Sequence, residues 1–262
     1  MTRMTDRPFL SVVIPAYNES ANLKAGALAK VAQYFAAQPY SYEVLVVDDG
    51  SEDDTAAQAE AFAQAAPHFR VLRAPHRGKA QAVAAGLLAA CGEIVLFSDM
   101  DQATPIGEIE RLLPFFEQGS DIVIGSRGAA RRNAPAWRRA MSLSQIVLRN
   151  AILGFAGITD TQCGFKAFRR AVVRPLLAGL RVYTPRDGSG PRGASVTSGF
   201  DVELLFVARR LGYRVQEVPV EWDYRRTRRV NLLRDSWRGL RDLLRIRLAD
   251  LRGAYGREPL AR

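Results

Sequence analysis

The stretch Glu93–Pro105 reads EIVLFSDMDQATP. Its first half is an apolar, β-branched run, the signature of a buried strand. It ends in two carboxylates one residue apart, Asp99 and Asp101. A strand running into a polar turn would explain that much alone, so the neighbouring sequence has to decide. Similar runs recur as LSVVIP at 10–15, YEVLVVD at 42–48, FRVLRA at 69–74 and DIVIGS at 121–126. Ala/Leu-rich helical stretches at 21–37, 54–66 and 78–91 lie between them. Strands alternating with helices at this spacing predict an α/β fold, a Rossmann-like, mostly parallel sheet flanked by helices. Strands apolar on both faces suit a sheet covered on both sides. In such sheets ligands sit beyond the carboxyl ends of the strands.

Those ends read PAYNES, DDGSEDDT, APHRGKA, SDMDQATP and GSRGAARR. After about residue 130 the alternation fades. Helices are expected over 136–153 and 201–211, a Gly/Arg/Ser-rich loop over 181–200, a strand over 214–220, and a long amphipathic helix from 232 to 255.

The 262 residues are 48% hydrophobic and carry a formal net charge of +10, ample for a large core and unlike a disordered chain. Residues 223–252 hold ten arginines against four aspartates, six of those ten charges. A basic excess suits anionic membranes, phosphorylated small molecules or nucleic acid. No nucleic-acid motif or aromatic–arginine stacking pattern is present, so nucleic acid is not an expected partner. Cys91 and Cys163 stand far apart, form no zinc pattern, and read as reduced core residues. No signal peptide and no transmembrane run is legible, so a cytoplasmic protein with only peripheral membrane contact is expected.

Each strand-end motif has a structural and a chemical reading. On extended backbone Asp99 and Asp101 would point to one side and repel unless a cation lies between them. A hard Mg²⁺ or Mn²⁺ ion suits such ligands, and Gln102 can add a carbonyl oxygen. In DDGSEDDT, Gly50 and Ser51 make a turn and Asp53 or Asp54 caps the next helix, while Asp48 and Asp49 sit at the ligand edge. In PAYNES, Tyr17 offers a flat face to a base and Asn18 and Glu19 offer acceptors; a helix cap at Asn18 is the plainer alternative. Gly78 opens a helix beside Lys79, an anion site without P-loop spacing. Arg127 can clamp phosphate oxygens. Asp160, Asp201 and Glu203 are further candidates, with a helix cap and first-turn position equally good accounts of Asp201 and Glu203. His68 and His76 are isolated and take no role.

Together PAYNE, VVDDGS, RGK, the D-x-D and GSR resemble the GT-A glycosyltransferases of family 2. DTQCGFKAF, FDVELLFVA and VPVEW in the second half resemble the dolichyl-phosphate glucosyltransferases, and more loosely the mannosyl enzymes. The resemblance covers roughly residues 9–250 and departs at Met100 in place of alanine, Ala80 in place of glycine, and Ser198–Gly199 in place of an aromatic residue. It implies metal-dependent transfer of a hexose, UDP-glucose favoured and GDP-mannose possible, to a polyprenyl phosphate, with a family 2 enzyme acting on a soluble acceptor as the alternative. It places Pro15, Ala16, Tyr17, Glu19, Asp48, Asp49, Lys79, Asp99, Met100 and Arg229 on the donor side. Asp99, Asp101 and Gln102 would frame the metal, Arg127 would meet the phosphates, and Asp160 would orient groups. Gln162, Phe200, Asp201 and Glu203 fall on the acceptor side. It also implies a catalytic domain over 1–222, with a nucleotide-sugar half at about 9–128 and an acceptor half at about 129–222. A basic segment over 223–262 would follow. There Leu232, Leu233, Trp237, Leu240, Leu244 and Leu248 flanked by arginines would meet the membrane, or the helix would pack on the core with a solvated arginine face, and the two are compatible.

Overall fold

The computed structural model describes residues 7–128, 146–155, 157–183, 198–223 and 232–256. Arg131, Arg132, Arg228, Arg229, most of the expected 181–200 loop and the first part of the expected helix 136–153 lie outside them. The chain divides into two compact units. Among the described residues the first holds 7–102 and 164–174, and the second holds 103–128, 146–155, 157–163, 175–183, 198–223 and 232–256.

In the first unit β1 (Leu10–Ala16), β2 (Tyr42–Asp48), β3 (Phe69–Arg73) and β4 (Ile94–Ser98) pair in parallel in the order β3-β2-β1-β4. Val12, Val13, Ile14, Val44 to Val47, Leu96 and Phe97 are buried, as their unbroken apolar runs require. Strand β3 is at the edge and keeps Arg70 and Arg73 exposed, which discourages pairing with another chain. Helix α3 (Thr55–Ala65) packs on β2 and β3, and α4 (Lys79–Ala89) on β1, β2 and β4. The expected helix 21–37 is two helices, α1 (Ser20–Lys24) and α2 (Ala27–Ala36), because Gly26 adopts φ +80° between them.

A fifth strand of this unit, β6 (Phe165–Arg169), runs antiparallel to β4, with Lys166 opposite Phe97 and Phe165 opposite Ser98. The lysine inside an otherwise apolar run masks the strand in the sequence. Lys166 is buried, with its ammonium 5.8 Å from the Phe97 ring centroid.

In the second unit β5 (Ile122–Ser126) and β7 (Val215–Pro219) pair in parallel, Ile124 opposite Glu217. Helix α5 (Ile109–Glu117) packs on both. Helix α6 covers 146–153, and α7 (Arg170–Gly179) follows directly on β6. Both α5 and α7 carry an internal proline, Pro114 and Pro175, which hides them from helix-pattern reading. Helix α8 (Ser198–Arg210) packs on β7 and on α9 (Leu232–Leu251). Leu243 and Ile246 bury one side of α9, and buried Asp250 pairs with Arg210 and Arg247. Trp237, Leu244, Leu248 and Leu251 remain exposed. No helix among the described residues is long and apolar enough to cross a membrane.

Candidate active site

In the first unit the strand-end loops are tied to one another. After β1, Asn18 takes φ +53°, its N–H donates to Ser51 Oγ at 3.0 Å, and its Oδ1 accepts from Glu52 N–H at 2.9 Å. Asn18 therefore bonds across to the neighbouring loop and does not cap α1. Glu19 N–H donates to Thr55 Oγ1 at 2.7 Å. Asp54 takes the N-cap position of α3 but makes no side-chain cap bond, and Asp53 supplies it instead: its Oδ1 accepts from Thr55 N–H at 3.0 Å and from the Thr55 hydroxyl. Burial raises the Asp53 pKa, but the hydrogen bonds from Thr55 and Ser20 outweigh it and hold the carboxyl below its ordinary value.

The Asp48 carboxylate accepts from Ser51 N–H at 3.3 Å and so fixes the turn. Asp49 is buried. Its carboxylate accepts from Arg77 N–H and Gly78 N–H, both at 2.9 Å, and meets His76 Nδ1 at 2.8 Å. The His76 ring in turn stacks on Tyr17, centroids 4.1 Å apart. Sequence reasoning gives His76 no role, although its place right after β3, at a ligand-facing strand end, is a signal that could have found it. Pro15 and Ala16 close β1 as buried residues.

The acidic segment is a turn. Asp99 C=O accepts from Gln102 N–H at 3.2 Å, and Gln102 takes φ +49°. The extended geometry expected for Asp99 and Asp101 therefore does not hold, since the strand ends at Ser98. Met100 fills the core beneath the turn, 3% exposed, which accounts for a large apolar residue between two acids. The cation beside Asp99 is Lys79, with Nζ 2.5 Å from Oδ1. On its other side Asp99 meets Gly164, whose C=O accepts Asp99 N–H at 3.2 Å. A Cβ on Gly164 would fall 2.0 Å from Asp99 Oδ2. Gln102 is buried. Its Nε2 donates to Asp99 C=O at 2.9 Å, and its Oε1 has no hydrogen-bond partner. Among the described residues no group of three or more His, Cys, Asp or Glu is placed to hold a metal ion. Two carboxylates and an amide oxygen are hard donors of the kind that suit Mg²⁺ or Mn²⁺.

In the second unit Arg127 follows β5. Its Nε and Nη2 donate to Asp160 Oδ2 and Oδ1 at 2.7 and 2.8 Å, and its backbone N–H to Oδ2 at 3.0 Å. The Trp222 ring lies 5.6 Å from the guanidinium carbon. Gln162 is exposed and Phe200 buried, and Asp201 sits in the first turn of α8. Glu203 is fully buried and its carboxylate is consumed internally. It accepts from the N–H groups of Arg181, Val182 and Tyr183 at 2.6, 2.7 and 2.9 Å, and from the Tyr255 hydroxyl at 2.7 Å. This residue thus joins the chain after α7 to the end of α9. Burial, reinforced by Asp242 beside Tyr183 and Glu203 beside Tyr255, pushes both phenols well above their ordinary range. Cys163 is buried as expected, but Cys91 is exposed, because the chain turns between α4 and β4 there.

The pattern of the family described as "Glycosyl transferase family 2" matches residues 11–177. The chain is 35% identical over 229 residues to "Dolichyl-phosphate beta-glucosyltransferase ALG5C" of Trichomonas vaginalis, covering 82% of this chain and 64% of that protein. It is 31% identical over 278 residues to the dolichyl-phosphate beta-glucosyltransferase of Saccharomyces cerevisiae, covering 94% of this chain and 76% of that protein. The chain thus spans about two thirds to three quarters of the length of these curated relatives. In fold it resembles glucosyl-3-phosphoglycerate synthase from Mycobacterium tuberculosis, solved with Mn²⁺, UDP and glucosyl-3-phosphoglycerate. The TM-score is 0.57 at 23% identity, over 94% of this chain and 80% of that one. The mostly parallel strands flanked by helices, the acidic turn after β4 and the match over 11–177 agree, and the chain belongs to glycosyl transferase family 2, with the GT-A fold.

Proposed function

We propose that the chain transfers glucose from UDP-glucose to a polyprenyl phosphate at a membrane surface, with inversion at the anomeric carbon. The observation that carries the chemistry is the Asp99–Gln102 turn, two carboxylates and a buried carbonyl oxygen without a hydrogen-bond partner, beside Lys79. The substrate class is supported by the relatives named dolichyl-phosphate beta-glucosyltransferase.

Asp99, Asp101 and Gln102 would hold Mg²⁺ or Mn²⁺, in keeping with the Mn²⁺ with which the Mycobacterium enzyme was solved. A bound divalent ion supplies charge neutralisation to the departing diphosphate. Tyr17 and Asp49 serve the base, with Asp48 and Glu19 shaping that edge, Pro15 and Ala16 closing β1 behind it, and Met100 packing beneath the acidic turn. Lys79 and Arg127 serve the phosphates, and Arg229 is assigned there on the resemblance alone. Asp160 orients Arg127 and is not a base, because both its oxygens are engaged by that guanidinium. The acceptor is a phosphate oxygen already ionised near neutral pH, so the step needs little general-base help. Gln162, Phe200 and Asp201 belong to the acceptor side, while Glu203 acts as a structural anchor.

The nucleotide-sugar role falls to about 9–128, the acceptor role to about 129–222 and membrane contact to the basic segment 223–262. On α9 the exposed residues 237, 244, 248 and 251 form one stripe, and exposed arginines 238, 241, 245 and 252 lie along its flank at helical spacing. Such a helix suits an anionic interface, on the cytoplasmic face of the membrane. Asp99→Ala and Asp101→Ala each lower turnover of UDP-glucose by at least about a hundredfold with the fold retained by circular dichroism. Turnover within twofold of the parent would refute the assignment of the acidic turn.

A further inference from the structure

We infer that Glu217, on β7, is a positioning residue for Arg127 and acts through Asp160. The inference rests on the reading that Arg127 serves the phosphates. Arg127 directly follows β5, and its guanidinium orientation is set by Asp160, which takes Nε, Nη2 and the backbone N–H of the same residue. Asp160 is buried and sits on the connection between α6 and β6, where no helix or strand holds it. Two side chains do so instead. Glu217 accepts from Thr159 N–H and the Thr159 hydroxyl at 2.6 Å each, and from Asp160 N–H at 2.9 Å. Arg149 donates to Ile158 C=O at 2.6 Å and to Thr161 Oγ1 at 2.9 Å.

The circuit closes on itself. Glu217 lies opposite Ile124 in the β5–β7 pair, three residues before Arg127. Past β7, Val220 N–H donates to Ser126 C=O at 3.0 Å, and two residues on Trp222 meets the Arg127 guanidinium. One strand pair therefore carries the arginine, the residue that fixes its partner's backbone, and the ring beside it. A carboxylate whose oxygens take two consecutive backbone N–H groups sets the backbone of residue 160, and with it the direction of the Asp160 side chain. Glu217→Gln would keep the shape but place an NH₂ against an N–H donor, which breaks one of these bonds.

The test combines a spectroscopic and a kinetic measurement on the full chain. The Arg127 Nε–H resonance, assigned by its loss in Arg127→Lys, is expected to exchange with water at least tenfold faster in Glu217→Gln. In transfer assays Glu217→Gln is expected to lower kcat about tenfold with the KM for UDP-glucose within twofold. Asp160→Asn lowers kcat too, and adding Glu217→Gln to it lowers kcat no further. A Nε–H exchange rate equal to the parent's, or an equal kcat loss from Glu217→Gln in both backgrounds, overturns the inference. If Arg127→Lys itself leaves kcat unchanged, the assignment of Arg127 to the phosphates fails, while the exchange measurement still decides the structural role of Glu217. Glu217→Asp, a shorter carboxylate, should recover part of the kcat. No recovery, with the fold intact, counts against the inference.

Discussion

Gly164 shows how tightly the acidic turn is specified at the level of single residues. Its backbone oxygen holds Asp99 N–H, and its bare Cα faces the Asp99 carboxylate so closely that a methyl group has no space. Lys79 occupies the other side of that carboxylate. In Gly164→Ala the carboxylate has to move, because side chains yield before a paired strand does. The metal concentration for half-maximal activity should rise about tenfold, a shift of about 1.4 kcal/mol in binding. Thermal unfolding should drop by only a few degrees, as for a loss of about 1 kcal/mol. An unchanged metal dependence in Gly164→Ala would separate Asp99 from the metal. Asp99, Asp101 and Lys79 are legible in the sequence because charged residues after apolar strands are conspicuous. Gly164 and His76 are not, since a glycine or a lone histidine becomes informative only once its neighbours in space are known.

Among the elements, the parallel strands and their helices are legible nearly to the residue, because most carry an apolar, β-branched run or a steady helical pattern. Elements that break those patterns escape. Strand β6 contains a buried lysine, α5 and α7 contain prolines, and the 21–37 stretch hides a left-handed glycine. Helix starts are partly legible, and α3 provides a test. Asp53 caps it and is held below its ordinary pKa, so its contribution is full above the unfolded value of about 3.9 and is lost as pH falls through the folded value. Asp53→Ala should destabilise the protein by about 1 kcal/mol at pH 7. That difference should shrink as denaturation midpoints are measured at progressively more acid pH. A difference that stays constant into strong acid would mean the carboxylate's charge plays no part.

Across the molecule, exposed apolar surface gathers on α9, inside the most basic segment of the chain. Six of the chain's ten net positive charges lie in residues 223–252, the segment that contains α9, and that helix leaves Trp237, Leu244, Leu248 and Leu251 in water. The amphipathic pattern is visible in the sequence. What cannot be read there is that the helix uses a different side, Leu243, Ile246 and Asp250, to pack against its own unit, leaving the stripe unburied. Flotation with vesicles containing anionic lipid should therefore recover the parent protein and fail for a Trp237→Ser, Leu244→Ser, Leu248→Ser variant. Raising salt from about 0.1 to about 0.5 M should weaken recovery of the parent, as screening of the arginines requires. Equal recovery of parent and variant would place membrane contact elsewhere.

Glucosyl transfer to a lipid phosphate is tested most directly by the transfer itself. Purified protein is incubated with Mn²⁺, a polyprenyl phosphate and radiolabelled UDP-glucose, or GDP-mannose in parallel, and label extracted with the lipid is counted. Label is expected in the lipid phase from UDP-glucose, abolished by chelator and carried as a β-linked glucosyl phosphate. Label from GDP-mannose alone, or no lipid-phase label from either donor, would contradict the proposed activity.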